Sequence, residues 1–170
     1  MIFTFIGMPS SGKSCMGRAV SRQLKLPLID SDKLIEKRFG KRLQEILHEI
    51  GVDEFRRVEE EVLLELTAPD DRHIILSTGG SAVYSKKAMV HLSKQGKVIY
   101  LYCSLSTVLE RIKNSDDRGI VLRPGQTLSD LYAERTPLYE AAADITVSCD
   151  GKAYPRYRQR LADIISKYIK

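Results

Sequence analysis

The segment Gly7 to Ser14 carries the strongest chemical signal in the sequence. It reads GMPSSGKS and matches the pattern G-x-x-x-x-G-K-[S/T] between a predicted strand and a predicted helix. Glycine lets the backbone approach an anion closely, and N–H groups at a helix start direct partial positive charge at phosphates. The segment therefore predicts a nucleoside triphosphate site, in which Lys13 reaches the β- and γ-phosphates and Ser14 binds Mg²⁺. The residues expected around the phosphates are Gly7, Ser10, Ser11, Gly12, Lys13, Ser14 and Cys15.

The class of nucleotide-binding protein can be narrowed by the motifs that accompany this loop. GTPases of this class read guanine with N-K-x-D, and the sequence has no such motif. The segment Asp116 to Gly119 matches D-x-x-G formally, but it lies in a polar stretch and does not follow a strand. We interpret that match as coincidence, so the sequence does not indicate a GTPase, and the nucleotide site alone does not name the reaction.

Two acidic residues, Asp30 and Asp32, end the second predicted strand in the segment LIDSD. Ligands of open α/β sheets bind at the carboxyl ends of the strands, and residues two apart in extended backbone point the same way. Asp30 could hold the metal ion through water. Asp32 could orient or deprotonate a substrate hydroxyl for attack on the γ-phosphate. Either residue could instead cap the helix that starts near Lys33.

Two further segments carry groups that suit an anionic substrate. The segment EFRRVEEE places Arg56 three residues before Glu59 on a predicted helix, which alone indicates an ordinary surface ion pair. The segment STGGSAV follows the third strand. There, Gly79 and Gly80 could let the backbone pass close to a ligand or could form a plain turn.

The order of the predicted elements indicates the fold that positions these residues. Strands are predicted at 2–6, 26–29, 74–76, 98–102 and 145–147, and helices at 12–24, 32–38, 42–49, 52–67, 85–94, 105–113, 127–142 and 155–168. Alternating strands and helices with right-handed connections predict a three-layer, doubly wound α/β sandwich around a five-stranded parallel sheet. Three helical patterns in 31–67 suggest an inserted helical subdomain, and the polar stretch 114–126 suits a lid loop.

Length and composition exclude several classes of protein. A chain of 170 residues with 43% hydrophobic and 29% charged residues suits one globular domain. No apolar run approaches the ~20 residues of a membrane span, and the N-terminus has no basic region of a signal peptide. Three scattered cysteines (Cys15, Cys103 and Cys149) argue for free thiols in a reducing cytosol. We therefore expect a cytoplasmic protein without a membrane partner.

The net charge of +5 comes from the C-terminus. The last twenty residues carry six basic side chains and one acid, Asp163, which accounts for the whole excess. Nucleic-acid binding is one interpretation. A solvated helix face is favoured, because Tyr157, Leu161, Ile164 and Ile165 recur at helical spacing and would pack inward. We therefore expect no nucleic-acid partner.

These segments together resemble the shikimate kinase family over nearly the whole chain. The loop, the D-x-D after strand two, the F-R-R-x-E-E helix, the Gly-Gly turn, an Arg-containing lid and R-x-P-L-Y (Arg135 to Tyr139) occur in family order. The resemblance implies a P-loop kinase fold and ATP-dependent phosphorylation of the 3-hydroxyl of shikimate, a step toward chorismate and the aromatic amino acids. ATP and the acceptor would then be small-molecule partners, Mg²⁺ the cofactor, and the protein a monomer.

The resemblance also implies roles for residues at the acceptor. Asp32 would hold the hydroxyls of the acceptor, and the Gly79–Gly80 turn would lie beside it. Arg56 and Arg135 would bind its carboxylate, since the planar guanidinium fork matches a carboxylate in a bidentate way. Glu59 would fix Arg56 from behind.

On the nucleotide side, the resemblance implies that Asp30 helps to hold Mg²⁺. It also implies that Arg111 and the region of Pro155 flank the adenine. Arg118 in the lid would close over the transferring phosphate. The family lid reads Arg-Pro, which here occurs at Arg123, but the spacing to Arg135 favours Arg118 and leaves Arg123 in reserve.

The sequence departs from the family in ways that keep two alternatives open. Serines 10 and 11 occupy the middle of the loop, where the family usually has a glycine, and Ser81 stands at the third glycine of the turn. One alternative is a kinase of the same fold that phosphorylates another small hydroxy acid or sugar acid. The other is a nucleotide-binding module without transfer activity.

Overall fold

The central sheet is parallel throughout and has the strand order β2-β3-β1-β4-β5. Our computed structural model describes residues 1–113, 120, 122–151 and 153–169. The strands are β1 (Ile2–Ile6), β2 (Leu28–Asp30), β3 (Ile74–Ser77), β4 (Gly96–Tyr102) and β5 (Ile145–Ser148). All five residues of β1 are buried, because β1 is the central strand and helices cover both faces of the sheet.

Helices pack on both faces of this sheet, as the alternation of elements predicts. They are α1 (Lys13–Leu24), α2 (Ser31–Phe39), α3 (Leu43–Glu65), α4 (Lys86–Gln95), α5 (Leu105–Lys113), α6 (Leu128–Ala142) and α7 (Tyr154–Ser166), with a 3₁₀ helix at Ala82–Tyr84. Helices α1 and α7 contact each other and one face, while α4 and α6 contact the other. The predicted three-layer α/β sandwich with five parallel strands is therefore confirmed.

The second strand begins two residues later than the sequence pattern predicts. Leu26 belongs to the end of α1, where its N–H donates to the carbonyl of Ser21 at 3.0 Å and Lys25 adopts a φ of 55°. The hydroxyl of Ser21 donates in turn to the Leu26 carbonyl at 2.6 Å. Leu26 therefore belongs to the helix end although it is apolar like a strand residue. Extended pairing starts only at Leu28.

Helices α2 and α3 form a small apolar cluster separate from the main core. Helix α3 is kinked at Gly51, whose φ of 78° and ψ of 171° are not helical, so its two halves follow the two predicted helical patterns. Glycine tolerates this φ without the clash that a Cβ would cause. The cluster consists of Ile35, Ile46, Phe55, Val58 and Val62.

The C-terminal helix α7 is amphipathic. Leu161, Ala162 and Ile165 are buried, whereas Arg156 and Arg158 are exposed on the opposite side. The basic residues of α7 thus form a solvated face. This is the interpretation that the helical spacing of the apolar residues favours. None of the helices in the described part of the chain has the length and apolarity needed to cross a membrane. The three cysteines are unpaired, as predicted.

Candidate active site

The nucleotide loop, Gly7 to Ser14, follows the carboxyl end of the central strand β1. Its turns depend on left-handed backbone: φ is 100° at Gly12 and 63° at Ser10. A Cβ at Gly7 would lie 2.8 Å from the carbonyl oxygen of Leu101, so only glycine fits against β4 there. Helix α1 starts at the end of the loop without a side-chain cap, which leaves its first N–H groups for an anion.

Lys13 is buried, and its ammonium group is held inside the nucleotide loop. Nζ donates to the carbonyls of Gly7 and Met8, both at 2.8 Å. Burial lowers the pKa of Lys13 to about 8, and the nearby carboxylate of Asp32 opposes this shift. The side chain is therefore still mainly cationic at neutral pH, as a group that binds phosphate must be.

The carboxyl ends of β2 and β3 bring oxygen atoms to the first turn of α1. The Ser14 hydroxyl donates to Oδ2 of Asp30 at 3.1 Å and lies 3.3 Å from the hydroxyl of Ser77. Mg²⁺ prefers oxygen ligands and usually takes one or two carboxylates together with substrate phosphates. These oxygens fit that requirement. Within the described ranges, no group of three or more His, Cys, Asp or Glu residues could hold a metal ion by itself.

The expectation that Asp30 and Asp32 extend in the same direction from a strand is wrong. Oδ1 of Asp30 accepts hydrogen bonds from the backbone N–H groups of Asp32 and Lys33, at 3.1 and 3.4 Å, and so caps helix α2. Asp32 therefore lies in the first turn of a helix. Asp30 therefore takes the capping role that the sequence left open, and its other oxygen accepts a hydrogen bond from Ser14.

Two buried carboxyl groups converge on Gly79. Oδ1 of Asp32 and Oε1 of Glu59 have no hydrogen-bond partner, and a Cβ on Gly79 would lie 2.7 and 2.5 Å from them. Burial raises the pKa of Asp32 to about 6, with a further contribution from the charge of Asp30, and burial raises the pKa of Glu59 to about 7. Gly79 leaves room for both groups because it has no side chain.

Glu59 is not the surface ion-pair partner that its spacing indicates. Its side chain is buried, and Oε2 accepts a hydrogen bond from the Ser81 hydroxyl at 2.7 Å. Ser81, which stands where the family has a third glycine, thus supplies a partner for a buried acid. In the described structure, none of the ion pairs within 4.0 Å joins Glu59 to Arg56.

The two predicted carboxylate-binding arginines meet at one aromatic ring. The guanidinium carbon of Arg56 lies 4.0 Å from the centroid of Tyr84, and that of Arg135 lies 5.1 Å from it. Arg135 is buried and donates from Nε to the Tyr84 hydroxyl at 3.2 Å, whereas Nε of Arg56 is buried without a hydrogen-bond partner. Helices α3 and α6 thus bring two cations to one cavity.

That cavity has a volume of about 460 Å³ and extends from the nucleotide loop to helix α3. The predicted site residues that line it are Ser10, Gly12, Lys13, Ser14, Cys15, Asp32, Arg56, Gly79, Gly80 and Arg135. Gly7, Ser11 and Asp30 are not among the residues that line it. The predicted nucleotide and acceptor residues therefore share one cavity.

The two residues expected at the adenine lie outside this cavity. Arg111 donates to the carbonyls of Cys149 at 2.6 Å and Gly151 at 2.9 Å, and it reaches the Ser11 carbonyl at 3.3 Å. Pro155 is exposed in the first turn of α7. Arg111 therefore links the nucleotide loop to the connection between β5 and α7, and its guanidinium carbon lies 5.2 Å from the ring centroid of Tyr154.

The predicted lid is described in part. Arg118 lies outside the described residues, as do the other residues of 114–119 and residue 121. Arg123, the alternative lid arginine, lines the cavity and forms an ion pair with Glu134 at 3.6 Å.

Sequence reasoning missed three features of this cavity. Tyr84 and Glu134 lie in it without any motif that marks them, although Glu134 precedes the recognised Arg135. The third is an apolar wall formed by Leu43, Leu47, Val52 and Phe55. The amphipathic pattern of α3 could have indicated this wall, but not that it faces a ligand site.

Comparison with known proteins agrees with this geometry. A model of the shikimate kinase family matches residues 9–169. A shikimate kinase of Pasteurella multocida is 38% identical over 94% of this chain and 92% of its own length, and one of Paracidovorax citrulli is 39% identical over 92% and 87%.

Solved structures give the same result. A shikimate kinase from Acinetobacter baumannii in complex with shikimate has a TM-score of 0.83 and 31% identity, covering 98% of this chain and 93% of that one. The shikimate kinase of Aquifex aeolicus has a TM-score of 0.77 and 27% identity, covering 99% and 98%. A sugar kinase from Janibacter, with 13% identity and a TM-score of 0.63 over 97% and 94% of the two chains, shares the fold. This chain therefore belongs to the shikimate kinase family.

Proposed function

We propose that this chain transfers the γ-phosphoryl group of ATP to the 3-hydroxyl of shikimate. The observation that carries the proposal is the meeting of Arg56 and Arg135 at one ring, in the cavity that also contains Lys13 and Asp32. Two guanidinium groups suit one carboxylate, and the cavity places them together with the loop expected to bind the triphosphate. Family membership supports the same reaction.

At the acceptor end, the arginines bind the carboxylate and Asp32 orients the hydroxyl. Nε of Arg56 has no partner in the free protein, so a carboxylate supplies what this group lacks. Asp32 also has a buried, unpartnered oxygen that can accept a hydrogen bond from a ring hydroxyl. The cations at one end of the cavity and the carboxylate of Asp32 at the other thus fix the direction of the acceptor.

At the nucleotide end, the N–H groups of the loop and the ammonium of Lys13 bind the phosphates. Ser14 and Asp30 would hold Mg²⁺, which when bound offsets the charge of the phosphate oxygens. Because the pKa of Asp32 is about 6, its carboxylate is largely ionised at neutral pH and can accept the hydroxyl proton. The substrate oxygen then bonds to the γ-phosphorus, the bond to ADP breaks, and the proton passes from Asp32 to solvent.

We propose that segment 114–126 closes over the cavity and excludes water, with Arg118 near the transferring phosphate. The support comes from the described part of this segment, since Leu122, Arg123 and Pro124 line the cavity. Exclusion of water protects ATP from hydrolysis while the acceptor hydroxyl attacks. Arg111 and the region of Pro155 are proposed to flank the adenine beside the loop.

We also propose that the protein is a monomer in the cytosol. The three unpaired thiols suit a reducing compartment. Few large apolar side chains are exposed in the described structure, which suits a protein without an obligate interface. They are Val52, Val90, Leu122, Tyr154 and Tyr168.

An acceptor panel tests the proposed reaction. ADP release, coupled to a dehydrogenase, is measured with shikimate, quinate, gluconate and other hydroxy acids at saturating ATP. We expect kcat/KM for shikimate to exceed that for every other acid by about 100-fold or more, because one cavity must satisfy both its carboxylate and its hydroxyls. A higher value for another acid, or ATP binding without acceptor-dependent turnover, would overturn the proposal.

A further inference from the structure

Tyr84 contacts both arginines that bind the acceptor carboxylate in the proposed function. It ends the 3₁₀ helix that follows the Gly79–Gly80 turn. Its ring lies 4.0 Å from the guanidinium carbon of Arg56 and 5.1 Å from that of Arg135. Its hydroxyl accepts a hydrogen bond from Nε of Arg135 at 3.2 Å and donates to Oε1 of Glu134 at 2.6 Å. One side chain therefore connects three helices.

The free protein must hold two like charges near each other without a bound anionic ligand. A guanidinium over the face of an aromatic ring is stabilised by the electron-rich ring face. The ring is a close contact of Arg56, which forms none of the ion pairs within 4.0 Å in the described structure and whose Nε is buried without a hydrogen-bond partner. Removal of the ring would free the Arg56 side chain to leave the position that faces Arg135.

Glu134 extends the same set of contacts to the segment beside the cavity. The hydrogen bond from Tyr84 lowers the pKa of Glu134, which keeps this carboxyl ionised. Its other oxygen, Oε2, accepts a hydrogen bond from Nε2 of Gln126 at 3.1 Å, and Arg123 lies 3.6 Å from Oε1. A tight turn joins these two residues, since the N–H of Gln126 donates to the Arg123 carbonyl at 2.9 Å.

We infer that Tyr84 is a positioning residue that gives the enzyme its preference for a carboxylate-bearing acceptor. The ring holds Arg56 beside Arg135, and the hydroxyl ties Arg135 through Glu134 to the turn at 123–126. This inference rests on the proposed function, because it requires the two arginines to bind the acceptor carboxylate. It assigns a role to a residue that does not itself need to touch the substrate.

The test compares shikimate with its neutral methyl ester in the wild type and two variants. In Tyr84→Leu, we expect kcat/KM for shikimate to fall about tenfold, mainly through KM, because Arg56 loses its ring contact. The value for the ester should change less than about twofold, since the ester offers no charge for the arginines to bind. In Tyr84→Phe, which keeps the ring, kcat/KM for shikimate should fall about threefold. The KM for ATP should stay the same in both variants.

Tyr168→Leu is the matched control. Tyr168 is an exposed tyrosine whose ring also contacts a cation, Lys97, but it does not line the cavity. We expect Tyr168→Leu to leave unchanged the ratio of kcat/KM for shikimate to kcat/KM for its ester. Thermal unfolding and ADP binding report whether each variant folds. If Tyr84→Leu does not fold, the inference is tested with Tyr84→Phe, by the ratio of kcat/KM for shikimate to kcat/KM for the ester.

Two outcomes overturn the inference while the proposed function stands. One is an equal loss with acid and ester, which indicates a purely structural role for Tyr84. The other is no loss with either acceptor in a folded variant, which shows that the arginines are held without Tyr84. Failure of the wild type to phosphorylate shikimate would overturn the proposed function itself, and it is seen before any variant is made.

Discussion

The two ends of the cavity are built in different ways. The nucleotide end consists of eight consecutive residues, and its cation is already bound, because Lys13 donates to two carbonyls of the loop itself. The acceptor end, which comprises Asp32, Arg56, Glu59, the segment 79–84 and Arg135, is assembled from four separate parts of the chain. It also contains ionisable groups with buried, unpartnered atoms, namely Asp32, Arg56 and Glu59.

This difference indicates how each end meets its ligand. In the loop, the buried atoms without partners are the hydroxyls of Ser10 and Ser11, which are uncharged. An unpartnered hydroxyl costs less than an unpartnered charged group. The acceptor end therefore gains more from ligand binding, and it is the end at which substitutions should change affinity most.

The largest effect is expected at the nucleotide end, on turnover. Lys13→Ala removes the cation beside the transferring phosphate, and we expect kcat to fall about 10³-fold. Binding of shikimate, measured by calorimetry, should change only a few-fold, because the arginines that hold it are intact. Lys94→Ala, at an exposed lysine of α4, is the control and should behave as the wild type. Normal turnover in Lys13→Ala would show that the loop does not act on phosphate.

The reverse pattern is expected at the acceptor end. Arg56→Met should raise the KM for shikimate about 10- to 100-fold by removing a charge-assisted hydrogen bond, and it should leave the KM for ATP unchanged. The neighbouring Arg57→Met provides a matched control. Arg57 is exposed and pairs with Glu54, so its loss should alter neither KM. Equal effects of the two substitutions would contradict the assignment of Arg56 to the acceptor.

A smaller effect is expected on the stability of the folded protein. It arises from the buried carboxyl of Glu59 at the acceptor end. Burial raises the pKa of Glu59 from 4.5 to about 7 in the folded state. A carboxyl whose pKa is raised by folding destabilises the folded protein as it ionises, so stability falls as the pH rises from about 4.5 to 7. Glu59→Gln removes this loss and should be the more stable protein at pH 8 by on the order of 2–3 kcal/mol.

Urea unfolding of the free protein at pH 5 and pH 8 measures this effect. The difference between Glu59→Gln and wild type should be larger at pH 8 than at pH 5. Ser81→Ala, which removes the hydroxyl bonded to Glu59, should increase the pH dependence, because that hydrogen bond lowers the pKa of the acid. A difference that does not vary with pH would mean that Glu59 is ionised throughout this range.

Most of the fold could be predicted because it follows from local patterns. Buried strands appear as short runs of branched apolar residues, and the kinked helix α3 was visible as two helical patterns on either side of Gly51. The errors fall where one residue serves two elements. Leu26 is apolar like a strand residue but closes helix α1, and Asp30 ends β2 while it caps α2.

The site could be predicted only where its residues are contiguous or match a family motif. The nucleotide loop needs no information beyond eight residues. The interpretation of Glu59 as a surface acid is wrong. Glu59 lies between Val58 and Val62 on the buried side of α3, and the spacing of these two valines already indicates that side. Tyr84 could not be found in this way, because its role depends on the contact between α3, α6 and a turn distant from both in sequence.

A crystal structure with ADP and shikimate bound tests most directly whether the acceptor end binds a carboxylate beside the nucleotide. We predict that the guanidinium groups of Arg56 and Arg135 both donate to the shikimate carboxylate, at about 2.7–2.9 Å. The 3-hydroxyl should then face Asp32 and the terminal phosphate of ADP. A carboxylate directed into solvent, with the two guanidinium groups apart and no cavity between them, would contradict this assignment.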